Sequence, residues 1–161
     1  MISVEKALET ILADCRPLGF EKVNILEASG RVMGEDVIAQ RDIPPAPNSA
    51  KDGYAVRSSD TKGANSRNPL ELKVIETIAA GSLPRKTVNK GQAARIMTGA
   101  MIPKGADAVV LREEAEEKDK TVMIKTPVLQ GVEVRFAGED VKKGELVIQK
   151  GSVLRPGHIG M

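Results

Sequence analysis

Three prolines in four positions, Pro44, Pro45 and Pro47, lead into Asn48-Ser49-Ala50-Lys51-Asp52-Gly53-Tyr54-Ala55-Val56. Proline fixes φ and disfavours the α region in the residue before it, so this approach is predicted to be extended and stiff. Asp52-Gly53 reads as a turn dipeptide, because glycine tolerates positive φ, and Tyr54-Ala55-Val56 reads as the start of a strand. A short acid is thereby presented at the tip of a turn between two anchored segments. An ordinary solvated turn aspartate has the same local pattern, since Asp favours turns for backbone reasons alone.

The rest of the chain consists of short elements. From Ser3 to about Cys15, Val4, Ala7, Leu8, Ile11 and Leu12 recur with helical spacing. Ser3 suits the N-cap, Glu5 suits the positive helix end, and Pro17 and Gly19 are stop signals. Lys22–Leu26 is predicted to be a strand, Ala28–Met33 a brief helix and Asp36–Ala39 a strand. Ser58–Pro69 is loop-like. Leu70–Ile78, Gln92–Met97, Ala108–Leu111, Thr121–Ile124, Val132–Phe136 and Leu146–Ile148 are predicted strands. The almost wholly charged run Glu113–Lys120 reads as a solvated hairpin end. Periodicity thus gives a β-rich α+β chain.

Composition excludes several classes. Lys+Arg number 24 against 22 Asp+Glu, and aromatics make up 2% of the 161 residues. Neither a clustered basic stripe nor a set of base-stacking platforms is available, so a nucleic-acid partner is not expected. No apolar run is long enough for a membrane helix, and the first residues lack a signal-peptide core, so no membrane association is expected. The single Cys15 excludes an internal disulfide and fits a reducing cytoplasm; its helical context suggests a core or half-buried thiol. His158, the only histidine, follows Pro156-Gly157 without a second His or Cys nearby, so a solvent-facing or capping role is expected rather than metal ligation.

Two further segments join the Asp52 turn. One is Arg95-Ile96-Met97-Thr98-Gly99-Ala100, followed by Ile102-Pro103 and Gly105-Ala106-Asp107-Ala108-Val109-Val110. The other is Val134-Arg135, then Gly138-Glu139-Asp140 and Gly144. In this order the three segments resemble the N-terminal half of the molybdopterin molybdenumtransferase family, which includes the bacterial MoeA proteins and the E domain of gephyrin. Glu27-Ala28-Ser29-Gly30-Arg31-Val32 and Arg155-Pro156-Gly157-His158-Ile159-Gly160 extend the resemblance over essentially the whole chain.

The resemblance implies two small subdomains behind an N-terminal helix. A β-barrel-like insert at residues 43–131 would sit within a discontinuous α/β linker subdomain made of residues 1–42 and 132–161. It also implies insertion of molybdate into adenylylated molybdopterin, with hydrolysis of the adenylyl link and help from Mg²⁺. The family continues into a molybdopterin-binding domain that this chain does not contain, so the isolated chain is expected to be inactive. A homodimer is implied, as is a molybdopterin-binding domain as partner, and part of the helix stripe is expected to stay exposed.

Position by position, Asp52 matches the Asp of the family's Asp-Gly-Tyr motif, Thr98 the Thr of Met-Thr-Gly, and Asp140 the Asp of Gly-Glu-Asp. These are the candidate catalytic residues. Asp52 and Asp140 are also the candidate Mg²⁺ ligands, because Mg²⁺ prefers oxygen donors. Ser49, Gly99 and Arg135 are candidates for binding the cofactor or anion; Thr98 and Gly99 offer a hydroxyl and a close backbone N–H. The local alternatives stay open. Gly138-Glu139-Asp140 also fits a simple turn, Thr98 a strand-end hydroxyl, and Arg135 an ion-pair partner of a neighbouring acid. The chain departs from the family with Ala46-Pro47 in place of Phe-Asp and Lys51 in place of Met. Lys51 is expected to pair with Asp52 and depress its pKa. Two other readings are a non-catalytic dimerisation or docking module of the same fold and an unrelated β-rich binding protein.

Overall fold

A computed structural model describes residues 2–16 and 18–161. The chain forms two compact units, one from residues 1–37 with 146–161 and the other from Ile38–Glu145. The sequence reading drew the insert at 43–131; in the structure Val132–Glu145 belongs with the insert. The reason lies in its pairings. Arg135 lies opposite Asn48, Val141 bridges Ile43, and the Lys143 N–H donates to Asp42 Oδ1 at 2.8 Å.

The first unit begins with α1 (Val4–Asp14), capped by Ser3, whose hydroxyl accepts from the Lys6 N–H at 3.2 Å. No residue of α1 is buried. Val4, Leu8, Ile11 and Leu12, the predicted stripe, are all exposed. Cys15 is exposed as well, contrary to the expectation of a sheltered thiol, with its Sγ donating to the Ile11 carbonyl. Pro17, one of the two predicted stop signals, lies outside the described residues. The predicted strand over Lys22–Leu26 is absent. Asn24 instead caps a 3-10 turn over Ile25–Glu27 by accepting from the Leu26 N–H, since its side chain offers the backbone a local alternative to pairing. Residues 28–33 form no helix. Their backbone pairs outward: Gly30 N–H donates to the Leu154 carbonyl, Leu154 N–H to Arg31, and Met33 N–H to Ser152. β10 (Leu146–Ile148) pairs with β1 (Val37–Ile38), whose Val37 belongs to this unit. The chain ends in α2 (Pro156–Ile159), where His158 Nδ1 accepts from the Arg155 N–H at 3.1 Å. That is the capping role expected for the lone histidine.

The second unit is built on β3 (Gly53–Val56), β4 (Leu70–Ile78), β5 (Gln92–Ile96), β6 (Ala108–Leu111), β7 (Ala115–Lys118) and β8 (Thr121–Ile124). They form one sheet in the order β6-β3-β5-β4-β8-β7. All neighbours are antiparallel except β4 and β5, which run parallel with an irregularity between Val74 and Thr77. The sheet curls into a half-barrel with both faces covered. Tyr54, Val56, Leu72, Val110, Val122 and Ile124 fill one side, and Ala55, Ile78, Ala94, Ile96 and Val109 face a second core with Val88 and Ala100. Burial on both faces explains why β3, β5 and β6 are apolar almost throughout rather than alternating. Each buried Val, Leu or Ile contributes about 1.5–3 kcal/mol.

One strand of this sheet escapes the sequence reading. The charged run 113–120 contains the edge strand β7, which pairs with β8 from Ala115↔Ile124 to Lys118↔Thr121. Charges are tolerated there because an edge strand faces water and is protected by them from pairing with other chains. The prolines also act differently from the prediction. Residues 44–46 are bends rather than an extended lead-in. The segment is held at separate points, with Ile43 N–H on the Val141 carbonyl, Gly138 N–H on Pro44 and Ile102 N–H on Pro47.

Candidate functional site

Asp52 lies at the start of β3, exposed, as the turn reading requires. Gly53 is required there for a different reason from the one predicted. It is not among the positive-φ glycines; instead a Cβ at Gly53 would lie 2.0 Å from the Val110 carbonyl oxygen. Close approach of β6 to β3, not turn geometry, demands glycine.

Asp52 is fixed from the opposite loop. Its Oδ1 accepts from both the backbone N–H and the hydroxyl of Thr98, each at 2.7 Å. Oδ2 accepts no hydrogen bond among the described residues. The Thr98 N–H, and after it the Thr98 hydroxyl, hold the Asp52 carboxyl below its usual pKa, with Arg112 and Arg95 adding smaller contributions. The expected pairing with Lys51 is not among the ion pairs of the described residues. The pKa falls in the direction anticipated, through a different partner. The structure therefore brings Asp52 and Thr98 together.

Ser49 and Gly99 stand behind this pair. β2 (Asn48–Ser49) runs between the 99–101 loop and β9 (Val134–Arg135). Ser49 N–H donates to the Ala100 carbonyl, and Gly99 N–H, at φ +78°, donates to the Ser49 carbonyl at 2.8 Å. The Ser49 hydroxyl is buried and donates to the Lys51 carbonyl at 2.5 Å. In this conformation the polar groups of Ser49 and the Gly99 N–H shape the turn.

A second focus lies at the other end of β2. Arg135, opposite Asn48, grips both Asp140 oxygens through Nη2 at 2.5 and 2.6 Å, and its Nε lies 3.6 Å from Glu139 Oε1. Asp140, and to a lesser degree Glu139, raise the Arg135 pKa further. Glu139 Oε2 also accepts from the Phe136 N–H at 2.9 Å, closing the turn around Gly138. Arg135 is thus an ion-pair partner, as the local reading held. Among the described residues no three His, Cys, Asp or Glu side chains come together as a metal cage. Asp52 has one oxygen that accepts no hydrogen bond among the described residues, whereas both Asp140 oxygens accept from Arg135.

Sequence reasoning missed a third group. Tyr54, the only tyrosine, is 1% exposed, and its hydroxyl donates to Glu117 Oε2 at 2.9 Å. The same oxygen lies 3.3 Å from Arg95 Nη1. Arg95 is directly opposite Tyr54 across β3 and β5, and the Arg112 N–H donates to the Asp52 carbonyl at 3.2 Å. Burial, and then the bond to Glu117, push the Tyr54 hydroxyl pKa up. The available signal is a lone arginine amid the small apolar residues of β5, but its partner lies in the charged run that reads as a solvated hairpin end.

Comparison with known proteins matches this architecture. The chain is 39% identical over 160 residues to the molybdopterin molybdenumtransferases of Staphylococcus epidermidis and Staphylococcus aureus, a match covering 99% of this chain and 38% of each of those proteins. The crystal structure of the molybdopterin biosynthesis moeA protein from Pyrococcus horikoshii OT3 superposes with a TM-score of 0.92 at 43% identity, over 97% of this chain and 41% of that one. A second structure of the moeA protein from that organism gives a TM-score of 0.84 at 38% identity. The chain therefore spans about two fifths of the length of the relatives it matches. The family model for the MoeA N-terminal region, domains I and II, matches residues 2–161, so the chain belongs to that family.

Proposed function

We propose that this chain is the N-terminal part of a molybdopterin molybdenumtransferase, which inserts molybdate into adenylylated molybdopterin in molybdenum cofactor biosynthesis. The observation that carries the reading is the Asp52–Thr98 clamp: an exposed carboxylate with one oxygen fixed by two donors and the other turned to solvent. Mg²⁺ is commonly held by one or two carboxylates together with waters and substrate phosphates, so Asp52 fits as the ligand this chain supplies, the remainder coming from the adenylyl phosphate side. Thr98 orients that ligand. The Arg135–Asp140 pair sits one strand away and is read as holding Asn48 and Ser49, and so the Asp52 turn, in place. A lone exposed thiol agrees with a cytoplasmic setting.

The test is turnover of adenylylated molybdopterin with molybdate and Mg²⁺ by the longer protein containing these residues. Removing a group that ligates or orients a metal costs roughly 10–100-fold in activity. Asp52→Ala is expected at the upper end of that range, and Thr98→Val and Asp140→Ala lower within it, all with native far-UV circular dichroism. Wild-type turnover by Asp52→Ala sinks the reading, and so does turnover by the present chain alone.

The same reading includes a homodimer and a docked molybdopterin-binding domain. Its support is α1, whose Val4, Leu8, Ile11 and Leu12 are between 55% and 81% exposed. Four aliphatic side chains on one stripe favour burial by about 1.5–3 kcal/mol each. Sedimentation equilibrium of the isolated chain is expected to show concentration-dependent association, weakened by Leu8→Glu. A strict monomer at high micromolar concentration moves the dimer contacts outside these residues.

A further inference from the structure

Asp52 keeps an open oxygen although two arginines stand beside it. β3 alternates, so Asp52 and Tyr54 share one face of the sheet, and Arg95, opposite Tyr54, is on that face too. Continuing the β3–β6 register by one pair places Arg112 across from Asp52, where its N–H meets the Asp52 carbonyl. A guanidinium and a carboxylate at diagonal positions on one sheet face are within reach of each other. Left to itself, Arg95 has every electrostatic reason to close on Asp52 in a two-pronged ion pair. It does not: its Nη1 lies 3.3 Å from Glu117 Oε2, with the two side chains 30% and 34% exposed.

Glu117 comes from β7, four places from β3 in the sheet order, and arrives only because the sheet curls. Tyr54 fixes that carboxylate from below with a buried hydroxyl. Oε2 thus has two donors, one rigid and one on a long flexible stem.

We propose that Glu117 is a positioning residue of the Asp52 site, tethering Arg95 so that the outward oxygen of Asp52 stays open to a ligand. This rests on the reading of Asp52 as the site's working carboxylate. Without Glu117, Arg95 swings onto Asp52 and occupies the oxygen that a cation or a donor on the substrate needs.

The experiment follows the Asp52 side-chain carboxyl by carbon NMR titration in the full chain. Glu117→Gln is expected to move the Asp52 midpoint further down than in wild type, because a guanidinium now contacts it. Adding Arg95→Gln to that variant is expected to bring the midpoint back up to the wild-type value or above. Tyr54→Phe, which keeps the Glu117–Arg95 contact, is expected to leave it in place. Should Glu117→Gln not fold, Glu117→Asp, which withdraws the carboxylate by one methylene, is expected to move the midpoint in the same direction. An unchanged Asp52 midpoint on loss or withdrawal of Glu117 overturns the proposal. Failure of Arg95→Gln to restore it, or an equal shift in Tyr54→Phe, does the same by reducing Glu117 to a strut of the half-barrel. Because the titration reads Asp52 directly, its outcome is independent of whether Asp52→Ala abolishes turnover.

Discussion

Gly53→Ala is expected to be the most damaging single-methyl substitution at the site, destabilising the sheet unit by about 3 kcal/mol or more. The added Cβ would sit 2.0 Å from the Val110 carbonyl oxygen and 3.0 Å from its carbon, with Val109 Cγ1 at 3.1 Å. The first two belong to the backbone of β6, which cannot rotate away as a side chain can. Relief requires β3 and β6 to part, and the pairing from Gly53↔Leu111 to Val56↔Ala108 goes with it. Asp52 is then displaced from Thr98, so the clamp is lost together with stability. Gly157→Ala, where a Cβ meets nothing within 4 Å, is the matched control and is expected within about 0.5 kcal/mol of wild type. Denaturant unfolding of both variants checks the pair. A wild-type midpoint for Gly53→Ala would show that the strands separate at no cost.

Tyr54→Ala is expected to cost about 3–5 kcal/mol, the range for deleting a buried aromatic ring. Tyr54 packs inside the curl with Val56, Ala93, Val110, Val122 and Ile124. Tyr54→Phe separates ring from hydroxyl. It retains the packing and removes one bond to a partly exposed carboxylate that keeps Arg95 as a partner, so a loss of about 1–2 kcal/mol is expected. Equilibrium unfolding of the two variants reads the difference. Equal losses would mean that the hydroxyl, rather than the ring, carries the stability of this side of the sheet.

Most of the sheet was legible in the sequence because its strands are short, apolar and bounded by turn residues. Leu70–Ile78 and Ala108–Leu111 were bounded correctly from these signals alone. The misses have two causes, a partner that is remote in sequence or a side chain that offers the backbone a local alternative. β7 reads as solvated charge, and only β8 and the distant Tyr54 make it a strand. Lys22–Leu26 alternates like a strand, but its neighbours supply a cap and a turn rather than a pairing edge. At the site, motif resemblance selected Asp52 and Thr98, and the geometry joins them. It also led to Lys51 as the partner of Asp52, because adjacency in sequence was all there was to go on. The residue that donates to Asp52 is Thr98, forty-six positions away. Gly53 shows the same limit. Its identity was legible as a requirement, while the physical demand, another strand's carbonyl at van der Waals range, was not.

The buried strand β3 has one more consequence, for how the molecule opens. It is hydrogen-bonded on both edges, by β5 and by β6, and all four of its residues are buried. Amides of this kind exchange with solvent only when the whole unit unfolds, whereas an unburied helix such as α1 is free to fray. Asp52 is therefore carried at the end of the element that opens last. Fluctuation that admits or releases a ligand has to come from the partners of that strand's rim, the Thr98 loop and the arginine side chains, while the carboxylate itself serves as the fixed reference against which they move.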